Sequence, residues 1–221
     1  LGYYQATIST IVNKEKRWEL ALNVELGQPT VLDHVLITVE GDAKNDNAFQ
    51  NLILAQRLKS GDTLHHGKYE TLKSDLIALG LQRGYFDGQL TLSKIAIHND
   101  YQVADIHLQY NSGSRYKFGE VNFNDFDLSP ELLSSLVPFQ TEQYYSTSAF
   151  HQLQQQLQAT HYFGSITTLP GEKIRNVEDN SFIVPINVSL TPAKRHQFDL
   201  GVIRNLVVES NLITNKLTKL C

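Results

Sequence analysis

The chain has 221 residues, of which 41% are hydrophobic and 19% are charged, enough apolar mass for packed cores rather than global disorder. Its 19 basic and 23 acidic residues give a net charge of −4, whereas nucleic-acid-binding proteins usually show a basic excess, so we expect no nucleic-acid partner. The one cysteine, Cys221, excludes an internal disulfide and a cysteine-cluster metal site.

An internal repeat organises the chain. Residues 1–8, 83–90 and 160–166 each combine an aromatic pair with the start of a strand-like stretch, which a polar turn and a second strand follow. The second strands show period-2 alternation, as at Leu20 and Leu22, which is typical of a sheet with one buried face. The repeat therefore predicts a β-hairpin after each aromatic pair.

Each hairpin is followed by a short bridge and a further strand, at 31–39, 116–123 and 196–200. In the first two cases, two amphipathic stretches lie between this strand and the next aromatic pair, and Ser129 and Ser146 are candidate N-caps. The unit reads strand, helix, helix, strand, strand over about 80 residues. This order predicts an α+β fold in which two helices cover a three-stranded mixed sheet.

Several motifs recur in a fixed order along these units. Arg57-Leu58-Lys59-Ser60-Gly61-Asp62 precedes the second helix, Arg83-Gly84-Tyr85-Phe86-Asp87 ends it, and Tyr116-Lys117-Phe118-Gly119-Glu120-Val121 opens the next unit. The third unit adds Pro138-Phe139, Tyr144 and Tyr162-Phe163. The ordered series resembles tandem POTRA domains, the periplasmic modules of the outer-membrane assembly superfamily, and it is most similar to the TamA family, the outer-membrane subunits of translocation and assembly modules.

The resemblance implies a division of the chain into four parts. Residues 1–27 would be the C-terminal remnant of a first POTRA domain, 28–113 a second POTRA domain, 114–193 a third, and 194–221 a linker towards a missing barrel of about 16 strands. Residues 203–221 do not match and are an artificial extension, a frameshift or a divergent end. Because the chain lacks Met and ends in its lone Cys, we expect a piece of a larger membrane protein.

The resemblance also implies a cellular role. It places the chain at the periplasmic face of the outer membrane of a Gram-negative bacterium, as a scaffold in outer-membrane protein assembly and autotransporter secretion. The implied partners are a TamB-like inner-membrane-anchored protein, unfolded outer-membrane or autotransporter clients, and the protein's own barrel. The alternative is the POTRA array of a BamA-like insertase or a two-partner secretion transporter, and a more remote one is a small α+β enzyme or ligand binder.

The resemblance implies where clients would bind. In POTRA domains the strand after the aromatic turn lies at a sheet edge, and an exposed edge can accept an extended client through backbone hydrogen bonds. These edges correspond to residues 88–97 and 165–174. We expect partner contacts at Gln89, Thr91, Ser93, Ile95, Ile166 and Thr168.

The aromatic pairs have a peptide-binding and a structural interpretation, and recurrence at one place in every unit favours the structural one. We expect Gly84 to adopt a positive φ at the helix end. The predicted structural turn comprises Gly84, Tyr85, Phe86, Tyr162 and Phe163.

No sequence pattern indicates catalysis. Nucleophile-elbow, P-loop and dinucleotide fingerprints are absent. His65 and His66 lack partners that would complete a four-ligand metal set, and the oxygen-rich runs 42–46 and 122–127 lack the glycine and terminal glutamate of a calcium loop. We therefore expect no enzyme activity, no cofactor and no metal.

Overall fold

A computed structural model describes residues 2–14, 18–98, 102–124, 129–176 and 181–193. The first element is a two-stranded antiparallel sheet, formed by β1 (Thr7–Asn13) and β2 (Glu19–Glu25). Every residue of these two strands is exposed, because no other described element covers either face of the hairpin.

The second sheet is mixed and carries two helices. Its elements are β3 (Val31–Glu40), a 3-10 turn (Gly41–Asn45), α1 (Asn47–Gln56), α2 (His66–Gln82), β4 (Gln89–His98) and β5 (Val103–Asn111). The strand order is β3-β5-β4, with β5 parallel to β3 and antiparallel to β4. The last strand of the unit is therefore the central one, and β3 and β4 form the two edges.

The third sheet repeats this arrangement with one addition. Its elements are β6 (Tyr116–Phe123), α3 (Pro130–Ser135), α4 (Thr147–Ala159), β7 (Phe163–Pro170), β8 (Ile174–Arg175) and β9 (Phe182–Pro192). The order is β6-β9-β7, and the two-residue β8, which the sequence did not predict, also pairs with β9.

Both complete units thus have the predicted α+β order of strand, helix, helix, strand and strand. The predicted strand at 196–200 lies outside the described residues. The exact bounds of the predicted division of the chain, at 1–27, 28–113, 114–193 and 194–221, stay a prediction. None of the described helices is both long and apolar enough to span a membrane.

The central strands form the core because their side chains alternate strictly between the two sheet faces. On β5 the buried residues are Ala104, Ile106, Leu108 and Tyr110. On β9 they are Val184, Ile186, Val188 and Leu190. The helices cover these faces with Phe49, Leu72 and Leu76 in the second sheet and with Leu153 and Leu157 in the third.

Short polar side chains define the helix starts. Ser129 and Ser146 accept hydrogen bonds from the backbone N–H groups three residues on, as the sequence predicted, and Asp46 caps α1 through the N–H of Ala48. α1 ends at Gln56 because Arg57 adopts φ 50°, so Leu58 packs against the core from outside the helix.

One buried hydroxyl lacks a partner. The Tyr110 ring stacks on Phe49 with a centroid separation of 5.5 Å, and its hydroxyl has no hydrogen-bond partner among the described residues. Gly80 and Gly88 leave room for this hydroxyl, since a Cβ at either position would lie 2.0 Å from it. Burial raises the pKa of Tyr110, so the group stays a neutral phenol.

We expect Tyr110→Phe to raise the free energy of unfolding by about 1 kcal/mol, because the substitution removes a buried hydroxyl that makes no hydrogen bond. The matched control is Tyr85→Phe, since the buried Tyr85 ring also contacts Phe49 but its hydroxyl donates to Asp46. The free energy of unfolding of the control should fall by about 1 kcal/mol or more. Urea unfolding measures both, and a destabilised Tyr110→Phe would contradict the expectation.

Candidate functional site: the inter-unit junction and the open sheet edges

The turn after α2 joins the second and third sheets. Gly84 has φ 85°, a left-handed conformation of the kind expected for this glycine, and its carbonyl accepts a hydrogen bond from the Tyr116 N–H at 2.9 Å. The start of the chain repeats the contact, because the Gly2 carbonyl accepts from the Thr30 N–H at 2.7 Å. Each glycine thus connects its turn to the residue at or just before the first strand of the next sheet.

The two aromatic residues of the junction turn belong to different cores. Tyr85 is buried among the helices of the second sheet, with its ring edge-on to Phe49 at 5.6 Å. Phe86 packs into the third-sheet core, with its ring 5.3 Å from Tyr116 and 4.8 Å from Tyr145. The sequence predicted both rings as structural turn residues, and only the packing shows that they are divided between two cores.

Polar contacts reinforce the junction on the Phe86 side. The Asp87 carboxylate accepts from Lys173 Nζ at 2.6 Å and from the Tyr116 hydroxyl at 2.7 Å. These hydrogen bonds, that of Lys173 foremost, lower the pKa of Asp87. Burial and the bond to Asp87 raise the pKa of Tyr116 to about 12.

Arg115 connects the units on the Tyr85 side. Its backbone N–H donates to Asp42 Oδ2 at 2.9 Å, and its Nε donates to the Arg83 carbonyl at 3.1 Å. The guanidinium group lies over the rings of Tyr85 at 5.6 Å and Tyr144 at 4.4 Å. This cation bonds elements on both sides of the junction, which opposes hinge motion at the bridge.

Asp46 gathers three donors behind Tyr85. Besides the Ala48 N–H, its carboxylate accepts from Arg83 Nε at 2.7 Å and from the Tyr85 hydroxyl at 3.1 Å. Burial opposes ionisation of Asp46, but these hydrogen bonds outweigh it and lower its pKa. Burial and the neighbouring Asp46 charge raise the pKa of Tyr85 to about 12.

The third aromatic turn differs from the second. His161, in the place of Gly84, adopts φ 56°, and histidine is one of the non-glycine residues enriched in that region. Phe163 packs against the third-sheet core, whereas Tyr162 is 53% exposed. The chain that follows the third sheet lies outside the described residues.

β4 forms one edge of the second sheet. Its pairing with β5 shifts between Leu90 and Leu92, which makes Thr91 a β-bulge, and the register then runs unbroken from Leu92 to His98. Of the predicted contact residues, Gln89 lies before the bulge and Thr91 forms it. Ser93 follows it, exposed, with its Oγ 2.9 Å from the Tyr69 hydroxyl, and Ile95 is half-buried.

β7 is a shorter edge. After a bulge at Gly164, its register runs only from Ser165 to Pro170. Ile166 is half-buried, and Thr168 is buried with its Oγ1 accepting from Gln154. The predicted edge over 165–174 is interrupted rather than continuous: β7 ends at Pro170, the Gly171 N–H still bonds to the Pro185 carbonyl at 2.7 Å, and regular pairing resumes only in β8.

The opposite edges are partly covered. At the start of β3, the Leu32 N–H donates to the Asp62 carbonyl and the Gly61 N–H to the Leu32 carbonyl, both at 2.8 Å. Residues 142–145 cover the start of β6 in the same way, with Phe118 bonded to Gln143 and Glu142 at 2.8 Å. β4 is therefore the longest edge of the second and third sheets with an unbroken register in the described chain.

The oxygen-rich and histidine motifs have local roles. The His65 ring accepts from the Lys68 N–H as the N-cap of α2, and His66 Nε2 lies 3.7 Å from Glu70 Oε1 on an exposed face. Asn124 Oδ1 accepts from the Leu190 N–H at 2.8 Å, which fits a loop rather than a calcium ligand. Residues 125–127 lie outside the described chain.

Comparison with solved structures identifies the class of fold. BamA from Haemophilus ducreyi lacking POTRA domains 1–3 matches with a TM-score of 0.53 and 16% identity, over 75% of this chain and 30% of that one. POTRA3–5 of Haemophilus influenzae BamA matches with a TM-score of 0.48 and 18% identity, over 86% and 73%. POTRA1–2 of Omp85 from Anabaena matches at 0.46 and 9% identity, over 76% and 99%.

The chain has the fold of tandem POTRA domains. The strand-helix-helix-strand-strand order with its last strand at the centre carries this conclusion, together with the match to the Haemophilus ducreyi protein. No family model matches the sequence.

We expect Gly84→Ala to lower the free energy of unfolding by about 2–4 kcal/mol, because it combines an unfavourable positive φ with a clash. A Cβ at Gly84 would lie 2.9 Å from Tyr145 Cβ and 3.2 Å from the Tyr116 carbonyl oxygen. The matched control is Gly61→Ala, where φ is 90° but the Cβ would enter open space, so only about 1 kcal/mol is lost. Equal losses in urea unfolding would contradict a crowded junction.

We expect Asp46→Asn to destabilise the protein by about 1.5–3 kcal/mol at pH 7, because the amide loses charge-assisted hydrogen bonds to Arg83 and Tyr85. Since the pKa of Asp46 is lowered from 3.8, its contribution is present above that pH and is lost as pH falls through the folded-state pKa. The difference from wild type in urea unfolding should therefore shrink as the pH falls below 3.8. A difference that persists in acid would contradict this origin.

Proposed function

We propose that this chain is the POTRA region of a TamA-like protein and acts as a scaffold in outer-membrane protein assembly and autotransporter secretion. The open β4 edge carries the proposal, because a scaffold for clients of many sequences needs contacts that do not depend on sequence. Backbone hydrogen bonding along an edge strand meets this requirement. The motif series described above supports the choice of TamA over other branches.

β4 is the better of the two predicted client sites. Its seven-residue run from Leu92 to His98 keeps one register, whereas β7 offers a shorter run that ends in a proline. Leu92 is 42% exposed and Ser93 and Lys94 are exposed, so an added strand would meet few obstacles there. The bulge at Thr91 limits the site at one end, as bulges do at many natural edges.

The junction suits a scaffold that holds clients at a fixed distance. Phe86 and Arg115 bond across the bridge, so a client on β4 would keep a defined position relative to the third sheet. We infer a place at the periplasmic face of the outer membrane, with the protein's own barrel following residue 193. A TamB-like partner would bind mainly the first POTRA domain, of which this chain holds only a small part.

The second candidate is the POTRA array of a BamA-like insertase or two-partner secretion transporter. The likeness to BamA in fold favours it, and it predicts further POTRA units before residue 1 of the longer protein, whereas a TamA-like protein has three in all.

A non-enzymatic role is part of both proposals. The groove beside the junction, lined by Asp42, Arg83 and Tyr144, is open to solvent, and its two named charged groups are already bonded within the protein.

Strand addition at β4 can be tested with paired substitutions at Ser93 and Lys94. Successive residues of an edge strand direct their N–H groups alternately towards the neighbouring strand and towards solvent, so one of Ser93→Pro and Lys94→Pro removes an outward N–H. The proline variant that loses the outward N–H and remains folded should show about tenfold less crosslinking to an outer-membrane β-barrel protein diluted from urea. The crosslinker is a photoreactive residue at Gln89.

The matched controls are Ser93→Ala and Lys94→Ala, which keep the backbone N–H and should crosslink like wild type. Thr167→Pro on the β7 edge should also leave crosslinking to Gln89 unchanged. Circular dichroism selects the proline variants that remain folded. Crosslinking that is the same in each folded proline variant and its alanine control would refute backbone-driven binding at β4.

A further inference from the structure

A second bulge brings three ligating side chains to one end of the second sheet. The pairing of β3 with β5 shifts between Leu32 and Val35, so Asp33 and His34 together stand opposite the single residue Asp105. In a regular strand, consecutive side chains point to opposite faces and could not both reach one partner. The bulge re-aims one of them, as bulges beside functional sites do.

The ligand atoms lie close together. His34 Nδ1 is 3.3 Å from Asp33 Oδ2 and 3.3 Å from Asp105 Oδ1, and these three atoms all lie within 4.8 Å of one another. A tetrahedral Zn²⁺ ion with its usual bonds to nitrogen and oxygen separates its ligand atoms by about 3.3 Å. An ion could therefore sit between these three atoms with little rearrangement.

The remaining oxygen of Asp105 is held from the third strand. His98, the last residue of β4, lies with its Nε2 3.0 Å from Asp105 Oδ2. The backbone N–H of His34 also donates to Asp105 Oδ1 at 3.1 Å. Hydrogen bonds of this kind around a ligating carboxylate fix its orientation and strengthen metal binding.

The charge of the cluster also fits a divalent cation. Asp33 and Asp105 bring two carboxylates, and hydrogen bonds from the His34 N–H foremost and from His98 lower the pKa of Asp105. Asp33 and His34 are exposed, with 56% and 75% of their side-chain surface accessible, so an ion can enter without a conformational change.

The third sheet serves as an internal comparison. β6 has the same bulge, at Gly119 and Glu120, opposite Pro185 of β9. Of these three residues only Glu120 has a side chain that can bind a metal. The bulge is therefore common to both units, whereas among the described residues the set of two aspartates and two histidines is found in the second unit alone.

We propose that Asp33, His34 Nδ1 and Asp105 bind one Zn²⁺ ion, with His98 as a positioning residue for Asp105 and a water molecule in the fourth position. Imidazole and carboxylate ligands in a tetrahedral arrangement suit Zn²⁺, whereas Mg²⁺ requires an octahedral set of oxygens. The ion would link β3 to β5 and, through His98, hold the end of the β4 edge.

The test is titration of the chain with ZnCl₂, followed by calorimetry and thermal unfolding, in a Cys221→Ser background that removes the free thiol. We expect one bound Zn²⁺ per chain and a Tm raised by roughly 5 °C at saturating metal, with no effect of MgCl₂. His34→Ala should abolish this binding, and His98→Ala should weaken it by about 10–100-fold. NMR of the imidazole nitrogens should show His34 bound through Nδ1.

The matched control is His66→Ala, which removes an exposed histidine paired with a carboxylate elsewhere on the same unit and should bind Zn²⁺ like the parent. Absence of stoichiometric Zn²⁺ binding would overturn the proposal, as would undiminished binding in a folded His34→Ala variant. Loss of affinity in His66→Ala but not in His34→Ala would place the ion at α2 and equally reject the site.

Discussion

The rest of the architecture depends on the division of two adjacent rings between two hydrophobic cores. Tyr85 completes the core of the second sheet and Phe86 enters that of the third, so neither core is closed without the turn that joins them. Gly84 makes this possible, because its positive φ lets the chain reverse while its carbonyl bonds to Tyr116. The connection between units is thus part of the packing itself, and a short bridge suffices to hold it.

The sheet edges differ in whether their backbone N–H and C=O groups are already hydrogen-bonded within the protein or remain open to a partner. Loops cover the starts of β3 and β6, and the bulges at Thr91 and Gly164 interrupt the other two edges. The longest uninterrupted run that remains is the seven residues from Leu92 to His98 on β4, next to a junction fixed by Phe86 and Arg115. An edge of limited length on a rigid support favours weak and reversible strand addition over uncontrolled aggregation.

Much of the fold was predictable because it rests on local patterns. Alternation on β5 and β9, caps at Ser129 and Ser146, and the repeat of the aromatic turn led to the correct α+β order. Bulges and strand interruptions were not predictable, since they depend on the residue opposite. The run from 165 to 174 was therefore predicted as one edge although Pro170 ends it. His34, His98 and Asp105 carried no spacing signal, because their approach depends on a bulge and on strand order.

The amino-acid sequence alone determined the periodicity, the order of elements and the resemblance to POTRA domains, because hydrophobic spacing and turn residues act over a few positions. Only the tertiary structure decided which core receives Phe86, which edge stays open, and that Asp33 and His34 both face Asp105. These outcomes arise from contacts between residues far apart in the chain, where register and packing, rather than local preference, set the direction of each side chain.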